Sequence, residues 1–118
     1  MIQLVARLAL VLFAIWAAST VFEPGHHAAR LEIAADSLEH ALISLGLFTL
    51  ASAALPKINL LWIGLAVLGL GLGLELLQFA QVAPGRFELR DILADYCGMV
   101  VGWLAVAVGE ARSGHRAR

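Results

Sequence analysis

The side chains best able to do chemistry in this sequence are concentrated at the end of one apolar stretch and the start of the next. Glu75 lies about 7–8 Å inside the end of the first stretch, counted at 1.5 Å per residue. An acid placed so far inside an apolar segment is costly, and it indicates either a binding site or an internal pairing. Asp91 directly precedes the second stretch, and Asp95 lies inside it four residues later. A helix would therefore place both carboxylates on one face.

A short polar loop joins these two stretches and offers Glu75 a partner. Gln78 follows Glu75 at the i+3 position, on the same helix face. The Pro84-Gly85 pair is a turn signal that can direct Arg86 back toward Glu75. A guanidinium group forms two parallel hydrogen bonds with a carboxylate or a phosphate. We expect Glu75 and Arg86 to pair, or Arg86 to meet a lipid phosphate.

A second polar group precedes an earlier apolar stretch. Asp36 and Asp91 both resemble helix N-caps, and Asp36 to Glu39 have the spacing of a capping box. His40 lies one turn after Asp36, as an interface residue or as a partner of a carboxylate. Carboxylates with one histidine can ligate a divalent ion, but their spacing matches no metal motif. We therefore expect no metal and no cofactor.

The composition identifies the class of protein that must position these residues. The 118 residues are 61% hydrophobic and 14% charged, with a mean hydropathy of +0.87, whereas soluble domains carry about a quarter charged residues. Roughly 20 apolar residues cross a bilayer as a helix. We predict one all-α membrane domain over residues 1–118, a bundle of four transmembrane helices at about 4–22, 37–55, 60–80 and 92–108. The segment 4–22 also resembles a signal peptide.

The distribution of Lys and Arg predicts the orientation of the four spans. One side would carry Arg7, Lys57, Arg112, Arg116 and Arg118, and the other side Arg30, Arg86 and Arg90. The positive-inside rule then places both termini in the cytoplasm and the polar residues at the extracytoplasmic face. The basic C-terminus suits the inner membrane surface, so we expect no nucleic-acid partner.

Glycine spacing predicts which helices approach closely. Gly69 and Gly73 in the third stretch, and Gly98 and Gly102 in the fourth, form small-xxx-small patterns. Such patterns allow helix backbones to meet. We expect them to bring the third and fourth helices together beneath the loop that carries Arg86.

Several of these residues together resemble the signature of the VanZ-like family. The shared pattern is Glu75-x-x-Gln78, then Pro84-Gly85-Arg86, then Asp91-x-x-x-Asp95 and Gly98-x-x-x-Gly102, with Asp36-x-x-x-His40 earlier in the chain. Asp95 stands where the family usually has Asn, and Ser37 where it usually has Lys. The resemblance implies a small multi-pass protein of the bacterial cytoplasmic membrane, related to a protein that confers teicoplanin resistance.

These observations lead to one expected function and two alternatives. We expect the polar residues to recognise the headgroup of a membrane lipid, a lipid-linked envelope precursor or a lipoglycopeptide, with no assigned catalytic residue. A non-catalytic accessory subunit of a larger membrane protein complex is one alternative. A headgroup-modifying enzyme using His40 with a carboxylate is the other, although no nucleophile motif is present. The expected site comprises Glu75, Gln78, Arg86, Asp91, Asp95, Asp36 and His40.

Overall fold

The protein is a bundle of four long α-helices. The structure, a computed structural model, describes residues 1–22 and 30–114, and of residues 21 and 30–35 only the backbone. The helices are α1 (Ile2–Val21), α2 (Arg30–Ala54), α3 (Leu60–Phe79) and α4 (Leu89–Arg112). Each is long and apolar enough to cross a membrane. The predicted all-α, four-span fold is confirmed, and the chain is a multi-pass membrane protein.

Two of the helices begin earlier than the sequence predicted. α2 starts at Arg30 rather than at residue 37, because the alanine-rich segment before Asp36 contains no Pro or Gly to stop a helix. Asp36 is therefore inside α2, and its predicted role as N-cap is wrong. The N-cap of α4 is Glu88, so Asp91 lies in the first turn instead of at the cap. An acid there still complements the helix dipole.

The first helix packs on the bundle through α2. Among the described residues, the backbone of α1 comes close to that of α2 but not to those of α3 and α4. Nε of Arg7 donates a hydrogen bond to the carbonyl of Ala54 at the C-terminal end of α2, over 3.2 Å. A cation is favourable at that end of a helix because it complements the dipole. The bond also shows that α1 and α2 run antiparallel.

A tight turn reverses the chain between α2 and α3. Asn59 is the N-cap of α3, and its side chain accepts a hydrogen bond from the backbone N–H of Leu61 over 2.8 Å. This bond satisfies one of the orphan donors of the first turn. The start of α3 is thereby placed next to the end of α2.

The closest helix pair is α2 with α4, which run parallel. Gly98 lies against the backbone of Ala41, and Gly102 lies against Leu45 and Phe48. Phe48 is fully buried and stacks on Trp103, with ring centroids 5.8 Å apart. The prediction that Gly98 and Gly102 serve helix packing is thus correct, but the neighbour is α2 instead of α3. The apolar core around them consists of Phe48, Leu60, Ile63, Val67 and Met99.

Part of the predicted first loop and the C-terminal tail lie outside the described residues. These segments are 23–29 and 115–118, and they contain three of the four histidines and two of the arginines used for the orientation, namely His26, His27, His115, Arg116 and Arg118.

Candidate functional site

A polar cluster lies between α2, α3 and α4 near one end of the bundle. His40 is at its centre: Nδ1 lies 3.4 Å from Oδ1 of Asp95, and Nε2 lies 4.0 Å from Oδ2 of Asp91. The parallel arrangement of α2 and α4 puts His40 level with both acids. We define the polar cluster as His40 with Glu75, Asp91 and Asp95, flanked by Asp36, Ser37 and Ser44.

Two serines of α2 connect the cluster to α4 by hydrogen bonds. The hydroxyl of Ser37 donates to Oδ1 of Asp91 over 2.9 Å, and that of Ser44 donates to Oδ1 of Asp95 over 2.7 Å. Both acids are buried, so these bonds compensate part of the cost of removing them from water. Sequence reasoning missed both serine contacts. Ser44 follows His40 by four residues on the same helix face, and this spacing is the signal that could have identified it.

Glu75 reaches the cluster from α3 and is fully buried, with 0% of its surface exposed. Its Oε2 accepts a hydrogen bond from the backbone N–H of Glu88 over 2.9 Å. Its Oε1 has no hydrogen-bond partner. Glu75 thus fastens the end of α3 to the start of α4.

The predicted pair between Glu75 and Arg86 is wrong. Arg86 is exposed, and among the described residues no ion pair joins it to an acid. The N–H of Glu88 takes the place that the guanidinium was expected to fill. The physical reason is that a short loop brings its own backbone to the carboxylate first, while a long arginine side chain can remain in the solvated headgroup region.

Gln78 fixes the loop before α4. Its Nε2 donates a hydrogen bond to the carbonyl of Pro84 over 3.1 Å. Gly85 follows with φ +117°, in a region that favours glycine, and a Cβ at this position would overlap the side chain of Gln78. Together with Glu75, Gln78 therefore holds the loop backbone, which accounts structurally for the Glu-x-x-Gln and Pro-Gly spacing.

The charge of the polar cluster is unbalanced. Glu75, Asp91 and Asp95 are all buried, and among the described side chains no Lys or Arg pairs with any of them. Oδ2 of Asp95 also lacks a hydrogen-bond partner. A buried carboxylate without a counter-charge is strongly unfavourable. The cluster is therefore suited to accept protons, hydrogen-bond donors or a cation.

The arrangement of the hydroxyl, imidazole and carboxylate differs from that of a hydrolase. Ser44 donates its proton to Asp95 and not to His40. In a catalytic triad the imidazole accepts the serine proton, and the acid supports the imidazole from the other side. Ser44 is thus not activated as a nucleophile. Asp36, His40 and Asp91, by contrast, each place one donor atom within 4.8 Å of the other two.

A groove of about 660 Å³ runs between α1 and α3 and reaches the polar cluster. It lies where α1 and α3 both pack on α2 without a close backbone approach to each other. His40, Ser44 and Asp95 are the polar side chains that line it, and they come from α2 and α4. Its walls are otherwise apolar and include small residues of α1 and α3, namely Ala14, Ala17, Ala18, Gly69 and Gly73.

The predicted packing role of Gly69 and Gly73 is wrong. A Cβ at either position would meet nothing within 4 Å, because both glycines face the groove. The close approach of α3 to α4 depends on Gly71 instead, where a Cβ would overlap the carboxylate of Asp95. Both positions are small residues at i, i+4 spacing, but the face of α3 that carries them points away from α4.

Comparisons with known proteins give no relative for this chain. No protein-family model matches it, and no curated protein and no solved structure matches it either.

Proposed function

We propose that this protein binds an amphipathic membrane lipid from the side, with the lipid tail in the groove and the headgroup at the polar cluster. The main support for this proposal is the lining of the groove, which is apolar except for His40, Ser44 and Asp95. A volume of about 660 Å³ falls within the usual range for ligand sites, roughly 300–1,000 Å³. A lipid combines the same two chemistries in one molecule.

The charges in the polar cluster favour particular headgroup chemistry. The unpartnered Oδ2 of Asp95 accepts hydrogen bonds, so it suits hydroxyl or amine groups of a sugar, peptide or amino-alcohol headgroup. The exposed Arg86 is free of described ion pairs and suits the phosphate of the same lipid. A lipid-linked envelope precursor carries sugar, peptide and phosphate groups, and a lipoglycopeptide carries sugar and peptide groups with a carboxylate in place of the phosphate.

The cellular setting is part of the same proposal. The VanZ-like spacing supports a bacterial cytoplasmic membrane, and the excess of Lys and Arg near the termini and the second loop supports cytoplasmic termini with the polar cluster at the extracytoplasmic face. C-terminal fusions to a fluorescent protein and to alkaline phosphatase test the orientation. Fluorescence without phosphatase activity is expected, and the reverse pattern contradicts it.

Photo-crosslinking in nanodiscs tests the lipid groove directly. The purified chain is labelled by a phospholipid with a diazirine in its tail, and labelled peptides are mapped by mass spectrometry. Gly73→Leu fills the groove without a collision of its Cβ, because nothing lies within 4 Å. Gly109→Leu is the matched control, since its Cβ is equally free but Gly109 is not among the groove residues.

Labelling of α1 and α3 groove residues should fall at least fivefold in Gly73→Leu and stay unchanged in Gly109→Leu. Equal labelling of the two variants overturns the proposal that lipid binds in the groove. Native mass spectrometry from mild detergent separates this function from that of an accessory subunit. A co-purified lipid supports lipid binding, whereas a stoichiometric larger protein in place of lipid supports the subunit.

A further inference from the structure

We propose that Asp36, His40 and Asp91 bind a divalent metal cation between α2 and α4. One donor atom of each residue lies within 4.8 Å of the other two. Nε2 of His40 and Oδ2 of Asp91 are 4.0 Å apart, which is too far for a direct hydrogen bond. A cation with ligand distances of about 2.0–2.2 Å can bridge two atoms up to about 4.4 Å apart, so it can lie between these two with the ligands on nearly opposite sides.

The neighbouring acid prepares His40 to act as a ligand. Oδ1 of Asp95 faces Nδ1 of the imidazole at 3.4 Å. An acid at one ring nitrogen holds the proton there, so that the other nitrogen presents its lone pair. Metal-binding histidines usually have such a carboxylate on the far side of the ring. Nε2 is thereby directed toward Asp91, and Ser44 keeps Asp95 in place through its own hydrogen bond.

The polar cluster that contains His40 and Asp91 also holds buried carboxylate oxygens without a hydrogen-bond partner. Glu75 is 0% exposed and Asp95 is 4% exposed, and each has one carboxylate oxygen without a hydrogen-bond partner. Through its bond to the backbone N–H of Glu88, Glu75 lies at the start of α4, where Asp91 occupies the first turn. A doubly charged cation at the three ligands would offset this concentration of acids.

The donor set indicates the class of metal. One imidazole nitrogen with two carboxylates suits Zn²⁺ or Mn²⁺, whereas Mg²⁺ and Ca²⁺ prefer oxygen ligands alone. Asp36 is half-buried, so coordination positions remain for water or for an anionic headgroup. Metal binding is measured without any lipid, and its failure is therefore distinct from a failure of the lipid groove.

Calorimetric titration of the chelator-treated protein in detergent tests the metal site, with ZnCl₂ and MnCl₂ compared with MgCl₂ and CaCl₂. The chain has four histidines, so a background variant with His26→Ala, His27→Ala and His115→Ala, purified without a histidine tag, retains only His40. One cation per chain is expected. His40→Ala and Asp91→Asn should each weaken binding at least tenfold, and Asp95→Asn about 10–100-fold.

Glu39→Gln is the matched control, because Glu39 adjoins His40 in the chain and is not one of the grouped donors. It should bind Zn²⁺ as tightly as the background variant. Circular dichroism checks that each variant keeps its helices. Binding that is lost in the background variant, or that His40→Ala and Asp91→Asn leave unchanged, overturns the proposal.

A spectroscopic measurement needs no ligand variant and covers the case in which one fails to fold. Pulsed electron paramagnetic resonance of Mn²⁺ bound to the background variant should show coupling to one imidazole nitrogen. Since His40 is then the sole histidine, this signal assigns it as a ligand. Bound Mn²⁺ without nitrogen coupling overturns the assignment.

Discussion

The hydroxyl of Ser44 donates to Oδ1 of Asp95 over 2.7 Å and joins α2 to α4 beside the groove. The same carboxylate lies against Gly71 of α3, where a Cβ would overlap it. Asp95 therefore contacts three elements of the site at once: the serine, the imidazole of His40 and the backbone of α3. From this position Asp95 can affect both the packing of the helices and the proposed ligand site.

Replacing Asp95 should separate its hydrogen bond from its charge. Asp95→Asn keeps an oxygen for Ser44, so the free energy of unfolding should change by less than about 1 kcal/mol. Asp95→Ala removes the acceptor and should cost about 1–3 kcal/mol. Both are measured with chelator present, by following helix content during denaturation in mixed micelles. Equal costs for Asn and Ala would show that the hydrogen bond contributes nothing.

Adding one methyl group to Gly98 should destabilise the bundle. Its Cβ would collide with the backbone of Ala41, and overpacking typically costs about 1–3 kcal/mol. Gly69→Ala is the control, because its Cβ meets nothing and alanine favours a helix by up to about 1 kcal/mol. Thermal unfolding should rank Gly69→Ala above the parent and Gly98→Ala below it. The reverse order would contradict the α2–α4 interface.

Glu75 should control the order of the loop between α3 and α4. Glu75→Gln retains an oxygen for the N–H of Glu88 and removes a buried charge. The backbone amides of this loop should therefore stay protected from hydrogen exchange. Glu75→Ala leaves that N–H without its acceptor, at a cost of about 1–3 kcal/mol. Hydrogen exchange over residues 80–91 should rise in the Ala variant alone. Equal exchange in both variants would mean that the bond does not hold the loop.

Gly85→Ala should destabilise the same loop for two reasons. Its φ of +117° is unfavourable for a side chain, and a Cβ would overlap Gln78. The combined cost should be about 2–3 kcal/mol. Gly114→Ala has a positive φ of 70° but meets nothing within 4 Å, so it should cost only the backbone strain of about 1–2 kcal/mol. The two melting temperatures are compared, and indistinguishable values would exclude the overlap with Gln78.

Helix content and the number of spans follow directly from the sequence, because any segment of about 20 apolar residues in a bilayer must satisfy its own backbone. The helix ends were harder to predict. Asp36 has the spacing of a capping residue, yet α2 continues past it toward Arg30. Capping residues are preferred at helix ends but do not end a helix whose neighbours favour it.

The contacts within the site could not be predicted from the sequence, because they depend on the tertiary arrangement. Glu75 was recognisable from the sequence as a costly acid inside an apolar segment, because that inference depends only on residue type and depth, and His40 was recognisable only as a possible partner of a carboxylate. Their partners depend on which helix faces meet. The backbone N–H of Glu88 is chosen over Arg86 because of how the loop folds.

The sequence by itself determined that this is a four-span membrane protein with its unusual polar side chains near the junction of α3 and α4, because hydrophobicity and length are local properties. Only the tertiary structure decided that α4 packs in parallel on α2, that Gly69 and Gly73 line a groove, and that His40 lies among the acids. The rotation of a helix about its axis is determined by side-chain packing with its neighbours, and small-xxx-small spacing does not encode which neighbour that is.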